Sequence, residues 1–193
     1  NAILPAGNVS ISSNGVVMAG SGGFVPSTND ALPTNSFNSA LVPYWDSFLS
    51  FAGNIYWQEL QINGVNAFVV QWDSRLHDVS GGTGTFQVQV LETGPVLARY
   101  AYEDVDLGLV STGFGASATI GYQESSSSAV QFSMNTATLA NGDVLDLTAV
   151  ATSEEDEYEV DLTGKAGELI DVLLAGHDGV SFAGELLELL DTD

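Results

Sequence analysis

Carboxylates dominate the side chains that could do chemistry in this sequence. Twenty-five acids face only Arg75, Arg99 and Lys165, for a net charge of −22. Asp104 and Asp106 form a D-x-D in EDVDLG, while Asp156, Asp178, Asp191 and Asp193 lie in SEEDE, GHDG and DTD. Clustered acids repel one another, and a divalent cation at their centre relieves the repulsion. Ca2+, which takes oxygen ligands, is the cofactor these six residues would hold. The EF-hand pattern needs more ligands and a terminal Glu, and it is not matched. A solvated acidic surface is the plainer account of the same residues.

Hydrolytic chemistry finds less support. His77 and His177 are the only histidines, and neither lies near a G-x-S-x-G nucleophile motif. Both read as loop residues beside Asp78 and Asp178. The absence of cysteine removes thiol catalysis and zinc–thiolate or iron–sulfur sites. Asp46, Glu59, Asp73 and Glu92 are available for a carboxylate-pair glycosidase, which needs two of them about 5–10 Å apart. Acids bordering strands are usually just solvated, so no catalytic residue is assigned and an enzyme is not expected. Tyr44, Trp45, Tyr56, Trp57 and Trp72 would suit a sugar-stacking platform of a carbohydrate-binding module. Aromatics that alternate with polar neighbours equally suit a core. Lys165 lies in the turn LTGKAGE, not in the buried setting an isopeptide bond requires. Asn8-Val9-Ser10 has the glycosylation pattern, a triplet common by chance.

The elements that must position these residues read as strands. VSIS and VVMA flank Asn14-Gly15, and IYWQELQI and VNAFVVQW flank Asn63-Gly64, the dipeptide that favours tight hairpins. TFQVQVLE and VLARYAYE flank Thr93-Gly94-Pro95. SATIGYQ and VQFSM are joined by a polar serine run, and Asn141-Gly142 introduces VLDLTAV. In TFQVQVLE, Phe86, Val88 and Val90 point one way and Gln87, Gln89 and Leu91 the other. NAFVVQW carries apolar residues on both faces, which predicts a strand covered twice. Residues 21–40 read as a long ordered loop over the surface. PYWDSFLSF is compatible with one short helical turn. The expected fold is all-β, an antiparallel, jelly-roll-like sandwich.

Composition sets further limits. Hydrophobic content of 45% and a mean hydropathy of +0.17 fit a folded chain rather than a disordered acidic one. So acidic a surface repels nucleic acid and anionic lipid, and no apolar run is long enough for a membrane helix. The start at Asn1 fits a processed or excised chain. A boundary is expected near residue 150, dividing a sandwich module (1–150) from a second segment (151–193). Thirteen of the 25 acids lie in the latter. Its runs ELIDVLLAG and GELLELLDTD suit strand or helix by periodicity alone.

The ordered runs FNSALVPYWDSF, GNIYWQEL, NAFVVQWDS, TFQVQVLETG, ARYAYEDV and SATIGYQ resemble a β-sandwich module of large secreted bacterial proteins. Such modules often sit beside subtilisin-like proteases and cadherin-like repeats, and the pattern is distantly similar to the nidogen-type extracellular domain. The resemblance covers about residues 35–125, and its motifs are aromatic and apolar rather than catalytic. Ser47 stands where an acid often follows the Trp-Asp pair, which weakens a metal role for Asp46. EEDEYEVDLTGKAGELIDVLLAG and GELLELLDTD resemble the opening of a bacterial pre-peptidase C-terminal domain. That resemblance implies strands of a second, sandwich-like module in 151–193, about half complete at Asp193.

A half module cannot bury Leu162, Leu169, Val172, Leu174, Leu187 and Leu190 within itself, and open edges invite pairing with another chain. Together these readings describe a non-catalytic structural or adhesive module, or assembly subunit, of an extracellular or bacterial cell-surface protein. Its expected partners are other protein modules or copies of itself, with Ca2+ at the joints. The alternatives are a carbohydrate-binding module with a glycan partner, and an accessory domain of a secreted protease.

Overall fold

The computed structural model describes residues 7–21 and 23–148. Their alternating runs form ten strands: β1 Val9–Ile11, β2 Val17–Ala19, β3 Ala40–Trp45, β4 Asn54–Ile62, β5 Val65–Leu76, β6 Thr83–Leu91, β7 Val96–Asp104, β8 Thr119–Ser125, β9 Ser128–Met134 and β10 Val144–Thr148. Two five-stranded antiparallel sheets result, ordered β1-β2-β3-β8-β9 and β10-β7-β6-β5-β4. The all-β sandwich expected from the alternation is the observed fold. The helical turn considered at PYWDSFLSF is instead strand and loop. Among the described residues the one helical element is a 3-10 turn, Gly113–Gly115.

Asn63-Gly64 makes the tight β4–β5 turn, both residues having positive φ (52° and 84°) and Ile62 facing Val65 across it. Asn14-Gly15 behaves differently. The β1–β2 connection is wider, closed by Ser12 N–H donating to Val16 C=O (2.8 Å). Asn14 is buried, donates to Val25 C=O (3.0 Å) and accepts from Phe48 N–H (3.3 Å). Any side chain at Gly15 would collide with the Tyr44 carbonyl, so Gly15 is there for close approach as well as for its φ of 75°.

Between the sheets lies an aromatic core. The rings of Trp72 and Phe86 stack at 5.0 Å, and those of Phe86 and Tyr44 at 5.3 Å. Pro43 breaks the regularity of β3, a central strand, where the β3–β8 register shifts between Val42 and Trp45. Proline cannot donate to a ladder and is tolerated in sheets chiefly at edges and bulges. The opposite sheet makes good the loss. The Tyr100 hydroxyl accepts from Val42 N–H (3.1 Å) and donates to Gly121 C=O (2.8 Å), so it sits within the β3–β8 ladder itself. The Tyr102 hydroxyl donates to Pro43 C=O (2.9 Å). Burial pushes both phenols well above their ordinary pKa, which keeps them neutral donors.

Residues 23–39 form the expected ordered loop, and it is a third layer. Val25, Leu32 and Phe37 pack with Val16, Met18, Val42 and Trp45 on the outer face of the first sheet. Gln123, fully buried, accepts from Thr34 N–H (2.7 Å) and donates to Thr34 C=O (2.9 Å) and Phe37 C=O (2.6 Å). The strand covered on both faces is therefore β3, every residue of which is buried, rather than β5 as its apolar sequence suggested.

Two outcomes follow for stability. Tyr100→Phe strands two buried backbone groups and should cost about 1–3 kcal/mol for each lost partner. Tyr102→Phe strands one and should cost less; urea midpoints of the two variants test the ranking. Arg99 holds Asp146 in a bidentate pair (2.6 and 2.8 Å), lowering the Asp146 pKa through the hydrogen bond. A depressed carboxylate adds stability above its unfolded pKa, and that stability is lost as pH falls through the folded value. This exposed pair should contribute about 0.2–1 kcal/mol. Asp146→Asn should thus be slightly less stable than wild type at neutral pH, the difference closing in acid.

Candidate functional site

Asp46, at the end of β3, is buried beneath the loops that follow β3, β5 and β7. Its Oδ1 accepts from Ser47 N–H (2.8 Å) and its Oδ2 from the Ser117 hydroxyl (2.6 Å). His77 Nε2 lies 3.3 Å from Asp46 Oδ1, an electrostatic contact rather than an aligned hydrogen bond. Ser80 N–H donates to His77 Nδ1 (3.1 Å), which leaves the neutral ring's hydrogen on Nε2, toward Asp46. His77 lies in the connection between β5 and β6, as its neighbours suggested, but its side chain is packed there, 1% exposed. Arg75 is buried nearby and donates to Leu49 C=O (2.6 Å) and Gly53 C=O (3.1 Å). Desolvation lowers its pKa, but guanidinium stays charged. Asp46, His77 and Arg75 tie the loops at this end of the sandwich to one another and are sealed from solvent.

The other candidate carboxylates lie apart in role. Glu59 is exposed in β4, and Asp73 near the end of β5 accepts from the Ser74 hydroxyl (3.3 Å). Glu92, after β6, accepts from the Asn66 side chain (2.6 Å). In the D-x-D, Asp104 Oδ1 accepts from Asp106 N–H (3.0 Å) and from the Asn141 side chain (3.1 Å), and Asp106 Oδ1 accepts from Gly108 N–H (3.1 Å). Both carboxylates thus shape a turn. No group of three or more acids or histidines that could hold a metal ion occurs among the described residues. Asp156, Asp178, Asp191, Asp193, His177, Lys165 and the strands expected in 151–193 lie outside the described residues.

The five aromatics do not form one platform. Tyr44, Trp45 and Trp72 are fully buried in the core. Tyr56 and Trp57 are exposed (54% and 64%) but, as neighbours on β4, point to opposite sides of the sheet. Trp57 lies on the inward side, 6.0 Å from the ring of Phe68. Tyr56 lies on the outward side, at the start of a row that crosses all five strands: Tyr56, Gln71, Gln87, Ala101, Val144. The next row is Gln58, Val69, Gln89, Arg99, Asp146. Gln89 donates its amide to Gln87 (3.2 Å) and Gln87 donates to Gln71 (2.7 Å). The alternation of glutamine with apolar residues in TFQVQVLE was the sequence signal for this face.

β4 is also a sheet edge. Ile62 and Val65 close the two-residue turn, so the hydrogen-bonded pairs continue at Leu60, Gln58 and Tyr56. Ile55, Trp57, Glu59 and Gln61 then turn their N–H and C=O groups outward. The edge spans nine residues with no proline, no lysine and no register shift against β5. Proline, lysine and bulges usually blunt an edge; β4 carries in their place a single charge, Glu59, on the inward side with Trp57.

A family model described as NIDO related matches residues 5–160. No curated protein and no solved structure matches the chain. The family match takes in all ten strands, the loop layer and the β4 edge, and most of the sequence. The chain belongs to the NIDO-related family.

Proposed function

We propose that the chain is a non-catalytic structural or adhesive module of an extracellular protein, joined to other modules or to copies of itself through the free edge of β4. The observation that carries this reading is the nine-residue edge of β4, unpaired among the described residues, with Trp57 exposed beside it. An added strand would complete its outward N–H and C=O groups and cover Trp57. Membership of the NIDO-related family supports an extracellular role. The acidic skin keeps the unpaired module soluble and disfavours nucleic acid. A bacterial surface protein is the setting we favour, with the acids of 151–193 supplying any Ca2+ at the joints.

Light scattering after size exclusion tests the edge. Wild type should show species larger than the 20.2 kDa chain, increasing with concentration. Glu59→Pro removes an outward N–H without touching a β4–β5 bond, and it should return the protein to a monomer with little change in thermal midpoint. A wild-type monomer at every concentration, or assembly unchanged in Glu59→Pro, sinks the edge-pairing reading. Repeating the run in millimolar Ca2+ and in chelator tests the ion: loss of the larger species in chelator places Ca2+ at the joints, and equal masses remove it from the proposal.

A further inference from the structure

The outward face of the sheet β4-β5-β6-β7-β10 is a field of polar, uncharged side chains at its centre. The chain carries 25 acids, yet the centre of this face is neutral amide: Gln58, Gln71, Gln87 and Gln89 on three adjacent strands. Its one cation, Arg99, is bound to Asp146 on both carboxylate oxygens. At one end stands the exposed ring of Tyr56. At the other, the small side chain of Ala101 leaves a depression of about 250 Å³, bordered by Thr85, Gln87, Glu103, Asp143 and Val144. Tyr56 and Ala101 belong to one cross-strand row, three strand spacings or ~14 Å apart.

We infer that this face binds a neutral oligosaccharide laid across the strands, from Tyr56 to the depression over Ala101. A sugar presents hydroxyls that both donate and accept, together with apolar ring faces. Amides match the hydroxyls because each supplies two N–H donors and a carbonyl acceptor. The Gln71–Gln87–Gln89 chain uses only some of these, so N–H groups and lone pairs remain for a ligand. The Tyr56 ring offers a flat apolar surface for a sugar face. Glu103 is exposed at the depression and can accept from a pair of hydroxyls. The volume lies below the ~300–1,000 Å³ of typical cofactor or drug pockets, which suits one ring of a chain rather than a whole ligand. Charge decides the class. Nucleic acid and acidic polysaccharide would meet Glu103 and Asp143 with no unpaired cation to receive them. An apolar ligand would strip water from the amides without replacing their hydrogen bonds.

The site uses the face of the sheet rather than its β4 edge, so it stands or falls separately from self-association. The experiment is an NMR titration of the full chain with hexasaccharides of β-1,4-glucose, β-1,4-xylose and β-1,4-mannose, and with hexagalacturonate as the acidic control. At least one neutral hexasaccharide should shift the side-chain amide signals of Gln71, Gln87 and Gln89, while hexagalacturonate does not. Tyr56→Ala and Gln87→Ala should each weaken that binding by roughly tenfold. Tyr56→Phe, which keeps the ring, should bind like wild type, and so should Trp57→Ala on the opposite side of β4. Tyr56→Ala and Gln87→Ala alter side chains on the outward face of the sheet, and an unchanged thermal midpoint confirms that the fold is intact. The inference is overturned if no neutral hexasaccharide moves the amides at ~10 mM, if the acidic control binds equally well, or if binding depends on Trp57 and not on Tyr56.

Discussion

A proline in a central strand forces the two sheets to cooperate. Pro43 interrupts β3 where that strand should bond to β8, and the groups left over would be orphaned in the middle of the protein. The hydroxyls of Tyr100 and Tyr102 reach across from β7 and take them up. These bonds act where no water competes, so losing them costs far more than their net contribution would suggest. The sandwich is thus held by more than apolar contact between its faces. Two side chains of one sheet belong to the hydrogen bonding of the other, and this fixes the translation of one sheet over the other as well as their separation.

The same requirement orders the loop layer. A strand buried on both faces needs a cover, and residues 23–39 carry Val25, Leu32 and Phe37 to supply it. Loop backbone laid on a sheet must find polar partners, and Thr119, Gln123 and Gln131 of β8 and β9 provide them. One side of the sandwich is closed in this way. On the other, none of the described residues forms a comparable cover over the amide rows, and β4 is the sheet's edge. Among the described residues, the sandwich therefore has one face closed by a loop layer and one that displays side chains of its own strands.

Much of this was legible in the sequence, because strand alternation and Asn-Gly turns are local signals. Asn63-Gly64 located the β4–β5 hairpin, and the alternation of TFQVQVLE assigned Phe86 and Val88 inward and Gln87 and Gln89 outward. Long-range requirements were less visible. Asn14-Gly15 has the same composition as a tight turn, but contact with Tyr44 and Val25, set by tertiary packing, decided its conformation. β5 looked doubly covered from its apolar residues, whereas cover is decided by which loop returns over which strand. The aromatic cluster was divided by burial and by strand parity. Tyr56 and Trp57 are adjacent in sequence but a sheet's thickness apart in what they can touch. Asp46 and His77 are far apart in the chain, and no spacing rule marks such a pair.

The glutamine row has a direction. Gln89 donates to Gln87 and Gln87 to Gln71, so each amide is polarised by the one before it. Reversing one amide would set like groups against each other at its neighbours, and the row changes orientation as a unit or not at all. Three flexible side chains are thereby ordered when the protein folds rather than when something arrives. A hydrogen bond made at the Gln71 end would also be felt at Gln89, on the neighbouring strand, through a relay of aligned dipoles that requires no backbone motion.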